Sequence, residues 1–246
     1  FRKLFVPPQG LFLIAFLFVI ILLPMKPLFS FLLLSCLVLP SFSKEAKKFY
    51  VPVEKDVEGW TIEYDPQLLT EQNKEFNEEV TKALANHLQR IKYILNEDKV
   101  KVLQTLPIRL DLKHELGNMQ YHPSRRWLIA NGYDPKLEKR VHLPRAQSLI
   151  SRGTWAKHPY VILHELAHAY HDQILSFDNK EIIKVYQASE KKGLYERVLL
   201  FSGRKVKHYA RTNHKEFFAE MTESYLGVND FYPFVRAELK EHDPET

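Results

Sequence analysis

His164-Glu165-Leu166-Ala167-His168 interrupts an apolar run that begins Tyr160-Val161-Ile162-Leu163 and ends Ala169-Tyr170. Pro159 in front of it suits the first turn of a helix, and the run is apolar enough to be a buried one. In a helix, residues four apart stand on one face, one turn and ~6 Å from each other. His164 and His168 can therefore turn an imidazole nitrogen toward a single Zn²⁺. Glu165 lies beside them, positioned to act on a water held by that metal. The plainer reading is a core helix with satisfied histidines. It leaves three polar side chains buried without a shared partner, which is costly. The pentapeptide points instead to zinc chemistry, and that chemistry asks for a third ligand.

His171 is not that ligand. It lies seven residues past His164, ~10 Å along the helix axis, too far for one tetrahedral ion. The extended pattern His-Glu-x-x-His-x-x-Gly-x-x-His also fails, with His171 in the glycine position and Ile174 in that of the third histidine. We expect His171 to be structural or to support a ligand. The other route to a third ligand is a glutamate from a later helix. After Asn213, Glu216, Glu220 and Glu223 recur at i, i+4 and i+7, flanked by Phe217, Phe218, Met221 and Tyr225. We expect Glu216 to bind the metal and Glu220, one turn on, to orient a ligating histidine by accepting its other N–H.

Residues 209–220, Tyr-Ala-Arg-Thr-Asn-His-Lys-Glu-Phe-Phe-Ala-Glu, together with the histidine motif, resemble the catalytic domain of the lethal factor-like peptidases. That gluzincin-type group includes the proline-proline endopeptidases. The resemblance covers mainly residues 160–226. It implies that Glu216 is the third zinc ligand and that Tyr209, seven residues earlier, assists catalysis. The tail Asn229-Asp230-Phe231-Tyr232-Pro233-Phe234 departs from the family's pattern and suggests a distinct secreted branch.

The remainder of the chain reads as an α+β domain. Residues 44–56 look like a leader. Trp60–Tyr64 alternates as a strand and stops at Asp65-Pro66. Phe76, Val80, Leu84, Leu88, Ile91 and Leu95 mark an amphipathic helix over roughly 70–95. Pro107–Lys113 reads as a second strand. Residues 117–136 are turn-rich around Trp127–Ala130, and Glu138–Leu143 reads as an edge strand. The motif helix should span about 159–175. Further helices are expected over 181–199, broken at Gly193, over 213–226, ended by Gly227, and over 234–241. A small mixed sheet with a long helix behind it, followed by a helical C-terminal lobe, is the two-lobed zincin plan.

The first 43 residues differ from the rest of the chain. They hold Arg2, Lys3 and Lys26, no acidic residue, and two apolar stretches, 11–23 and 28–40. Each stretch is shorter than the ~20 residues of a membrane-spanning helix. Met25-Lys26 reads as a start, with an apolar run and then Ser41-Phe42-Ser43 after it, the layout of a secretory signal peptide. Residues 1–24 would then be an upstream extension, and a membrane anchor is the rival reading. The sole cysteine, Cys36, falls in this segment, so residues 44–246 form a single domain without disulfides. Without Arg2, Lys3 and Lys26 the chain has 32 basic against 30 acidic residues, and the overall +5 gives no case for nucleic acid.

These residues together imply hydrolysis of peptide bonds by a zinc-activated water, with Glu165 as general base and a peptide or protein as substrate. Such a substrate would lie along an edge strand, with Glu138–Leu143 and Trp127–Ala130 as the candidates. Two other classes fit the same residues: a non-catalytic, zinc-stabilised surface-binding protein, and an amidase acting on cell-wall peptides.

Overall fold

The structure, a computed structural model, describes residues 48–246. The expectations for the signal or anchor segment, residues 1–43, lie outside the described residues, as does the start of the leader. All described residues belong to one compact unit, and no helix among them is long and apolar enough to cross a membrane.

The first half builds a sheet and its backing helices. Strand β1 (Val53–Val57) turns into β2 (Trp60–Tyr64), and helices α1 (Lys74–Ile94) and α2 (Glu97–Gln104) come next. Then come β3 (Ile108–Leu110), β4 (Gln120–Tyr121), α3 (Arg125–Ala130) and β5 (Val141–Leu143). The strand order is β1-β2-β3-β5-β4. The three central strands run parallel, and each edge strand pairs antiparallel with its neighbour.

Three expectations are corrected here. The supposed leader contains β1. Its register with β2 is fixed by Glu58-Gly59, both at positive φ (58° and 93°), the backbone of a tight hairpin turn. Four of its five residues are exposed, so no apolar alternation marked it as a strand. The strand expected over 138–143 shortens to 141–143 and is internal, lying between β3 and β4. Its polar member, His142, is buried because the chain from 112 to 140 covers that side. Trp127–Ala130 is helical, capped by Ser124 Oγ, which accepts from the Trp127 N–H at 3.2 Å. Neither segment offers a free edge to a substrate strand. Helix α2 had no sequence signal beyond Val100 and Leu103, too short a pattern to read as periodic.

The two faces of the sheet are unlike. Ile62, Tyr64, Ile108, Leu110, Val141 and Leu143 pack with Val80, Leu84, Leu88 and Ile91 of α1 into the main core. The residues between them, Glu63, Arg109 and His142, are register partners on the opposite face. Arg109 there pairs with Glu63 at 2.7 Å, and Arg140 reaches the same carboxylate at 3.1 Å.

The second half is mostly helical: α4 (Arg152–Lys157), α5 (Val161–Tyr170), α6 (Lys180–Lys192), a small hairpin β6 (Val198–Leu199) and β7 (Lys205–Val206), α7 (His214–Leu226) and α8 (Arg236–His242). The motif helix α5 continues into a single π turn, His171–Leu175. Gly193, left-handed at φ 66°, stops α6. The segment to 199 therefore leaves the helix and enters the hairpin. Ile162, Leu163, Leu166 and Ala169 of α5 join the main core. Phe217 and Met221 of α7 belong to a second cluster with Tyr195, Val198, Ala210 and Leu239.

Helices α5 and α7 pack against each other. Near the start of α7, Glu216 meets His168, while Gly227 at its end lies against Tyr160 at the start of α5, so the two helices run antiparallel. A Cβ on Gly227 would come within 2.7 Å of three atoms of the Tyr160 ring. The Arg90 guanidinium covers that ring, 4.2 Å from its centroid. Gly227→Ala should therefore force the helix ends apart and lower stability by about 1–3 kcal/mol, the usual cost of overpacking. Thermal melts should show the loss, and the same change in a Tyr160→Ala background should cost much less. Equal losses in both backgrounds would mean that Tyr160 is not the obstacle.

Candidate metal centre

Helix α5 carries the two histidines and Glu165 on a buried stretch. All nine residues from Val161 to Ala169 are buried. Helix α7 supplies the facing carboxylates. Asn213 caps it, its side-chain oxygen accepting from the N–H groups of Lys215 and Glu216 at 2.9 and 3.0 Å. That cap fixes the first turn, from which Glu216 reaches α5.

The three expected ligand residues come together. His164 Nε2 and His168 Nε2 are 3.1 Å apart. Glu216 Oε2 is 3.1 Å from His168 Nε2 and 3.4 Å from His164 Nε2. Zinc bound tetrahedrally at ~2.0–2.1 Å sets its donor atoms about 3.3 Å apart. The spacing and the nitrogen–nitrogen–oxygen donor set thus fit one Zn²⁺.

The orientation of His164 is set from the other side. Its Nδ1 is 2.6 Å from Glu223 Oε1. That separation is a short hydrogen bond to a carboxylate, well under the distance between two ligands of one ion. With the proton on Nδ1, the lone pair lies on Nε2, facing His168 and Glu216. His158, just before α5, shares Glu223, with Nε2 at 2.9 Å from Oε2.

This corrects the expected role of Glu220. Its nearest oxygen is 3.8 Å from His164 Nδ1, and its carboxylate accepts from Asn229 Nδ2 at 2.8 Å. Asn229 also donates to the Glu220 main-chain carbonyl, so Glu220 anchors the chain beyond α7. The antiparallel crossing explains the change. Moving along α7 from Glu216 to Glu223 moves back along α5 from His168 toward His158, and Glu223 is the residue that arrives at His164. The acidic stripe contained Glu223, but spacing could not choose between it and Glu220. His158 and Asn229 carried no sequence signal.

Electrostatics separate the carboxylates. Burial works against the charge on Glu216, but hydrogen bonds and charge from His164 and His168 prevail and hold it down at about 2. Glu223 is lowered against its own burial by His158 and His164. Glu220 is pushed up, by burial first and then by the neighbouring Glu223 charge. For His164, burial opposes protonation, and bonds to Glu216 and Glu223 raise it well above free imidazole.

Tyr209 begins a short 3₁₀ turn, Tyr209–Thr212, packed on α7. It is 48% exposed, so it is not a core aromatic. Its hydroxyl is raised by partial burial and then by the Glu216 charge, and it also feels His164, Glu220 and Glu165. The residue is thus half-exposed and within electrostatic reach of the cluster. His171 is fully buried away from it, among Phe177, Phe218 and His214. Burial, and then the nearby His214, lower it to about 4, in keeping with a neutral structural ring.

Comparison with protein-family models, curated proteins and solved structures yields no match for this chain. The geometry therefore carries the functional reading.

If this cluster holds zinc, Glu216→Ala should remove most of the metal. Glu223→Gln should weaken zinc affinity by ~10–100-fold, the usual effect of losing a ligand's hydrogen-bond partner. Glu220→Gln should change it little. Zinc titration against a competing chelator checks all three, and equal effects of the Glu220 and Glu223 changes would contradict the assignment of His164 to Glu223.

Proposed function

We propose that this protein is a zinc-dependent peptidase of the two-lobed zincin type, with His164, His168 and Glu216 as ligands. The observation that carries this reading is the convergence of three donor atoms at 3.1–3.4 Å beside Glu165 on the same helix. Zinc at such a site lowers the pKa of a bound water toward 7 and polarises a substrate carbonyl.

The chain's own residues supply the rest. Glu165 lies next to His164, and its charge reaches both His164 and the Tyr209 hydroxyl. It accepts a proton from the attacking water and returns it to the leaving amine. Tyr209 keeps its proton, since its hydroxyl is raised, and can donate a hydrogen bond to the developing oxyanion. Glu223 keeps the His164 ring turned so that Nε2 faces His168 and Glu216. A purely structural zinc site has no use for an acid between its two histidines, which favours catalysis over a zinc-stabilised binding protein.

Glu165→Gln removes the base and no ligand. The variant should fold, retain zinc and lose hydrolysis of a mixed peptide library by ~10²–10⁴-fold. Wild-type activity should vanish with chelator and return with zinc. Activity above about a tenth of wild type in Glu165→Gln would sink the mechanism. Cell-wall fragments in a parallel assay separate an amidase from a peptidase.

Tyr209→Phe deletes only the hydroxyl. Turnover should fall by ~10²-fold or more, with zinc content and melting temperature nearly unchanged. Unchanged turnover would make Tyr209 a surface aromatic.

A further inference from the structure

A second group of metal-type donors lies on the other side of the sheet from the main core. Asp111 comes directly after β3, His142 is the middle residue of β5, and His114 stands in the loop after Asp111. Each offers one donor atom, and the three atoms lie within 4.8 Å of one another. Asp111 and His142 are buried, with Asp111 Oδ2 3.1 Å from His142 Nε2, while His114 is partly exposed.

Two of these residues are backed as metal ligands usually are. His142 Nδ1 is 3.0 Å from His122 Nε2. The second oxygen of Asp111 accepts from the Tyr50 hydroxyl. Ligating imidazoles generally have a hydrogen-bond partner on the far nitrogen, and ligating carboxylates on the far oxygen. His114 Nδ1 accepts from the Leu116 N–H at 3.2 Å. Aromatic side chains surround the group: Tyr133 lies 5.8 Å from the His114 ring, and Trp127 stacks on Tyr133 at 5.5 Å.

We propose that Asp111, His114 and His142 form a second divalent-metal site, separate from the α5–α7 cluster, that ties the loop after β3 to the polar face of the sheet. Two imidazoles and one carboxylate suit a first-row transition ion, Zn²⁺ above all, and disfavour Ca²⁺ or Mg²⁺, which take oxygen donors. Asp111, directly after β3, and His142, in the neighbouring parallel strand β5, are both held by the sheet, which presets two ligands. The loop supplies the third, His114. The metal would therefore stabilise the cover over the charged face of the sheet.

The test counts zinc in the full chain after equilibration with zinc and removal of free ion. The wild type should hold two per chain, Glu216→Ala one, His114→Ala one and the double variant none. In the Glu216→Ala background, chelator should lower the melting temperature by several degrees, and His114→Ala should abolish that shift. Loss of the single zinc of Glu216→Ala on adding His114→Ala supports this site even if the α5–α7 assignment fails. A wild-type count of one that His114→Ala leaves intact overturns it. Circular dichroism monitors folding. Should His114→Ala unfold, His114→Gln reads the same count with a polar side chain kept in the loop.

Discussion

The antiparallel contact of α5 with α7 is the constraint on which the rest of the site depends. It places five ionisable side chains, His164, Glu165, His168, Glu220 and Glu223, where water scarcely reaches. Such groups are tolerated in the interior only when they satisfy one another. Three of them, Glu223, His164 and His168, do so in a line that runs from His158 to Glu216, while Glu220 pairs with Asn229. The line has a direction. Glu223 accepts a hydrogen bond from the Nδ1–H of His164, which turns the Nε2 lone pair toward His168 and Glu216. Under the proposed function a cation would complete that arrangement.

The contact also joins two different interiors. Helix α5 is rooted in the core beneath the sheet, α7 in the smaller cluster with Tyr195 and Leu239. The polar line therefore sits where the two apolar bodies meet. That location explains why apolar helices carry it: Leu163 and Leu166 of α5, and Phe217 and Met221 of α7, bind each helix to its own body and leave the remaining face for the charges. The close approach at Gly227 and Tyr160 sets how near the helix ends come.

The sheet has its own polar interior. Arg109 is almost fully buried and is matched by Glu63, with Asp134 at 3.7 Å, while Arg140 shares Glu63. Removing one member would strand a buried charge, a loss of about 3–5 kcal/mol. The network orders the long connection from 112 to 140, which has little regular structure of its own. A mixed sheet with one apolar face and one ionic face is thereby covered on both sides.

Local pattern was enough to find the parts. Strand β2 matched its alternation residue for residue, α1 kept to its apolar stripe, and α5, α7 and α8 lay where periodicity and helix stops put them. The pair His164 and His168 was legible because helix geometry alone fixes their relation. Glu216 was legible as a member of an acidic face. What sequence could not supply was the relation between elements. The exposed strand β1 is recognisable only through its partner, and β5 became internal because β4 returned to cover its free edge. Glu223 rather than Glu220 meets His164 because the helices cross antiparallel, and that crossing is fixed by packing between residues about fifty or more positions apart. Spacing along one helix says which side chains share a face; only the tertiary structure decides which of them arrives at a given atom.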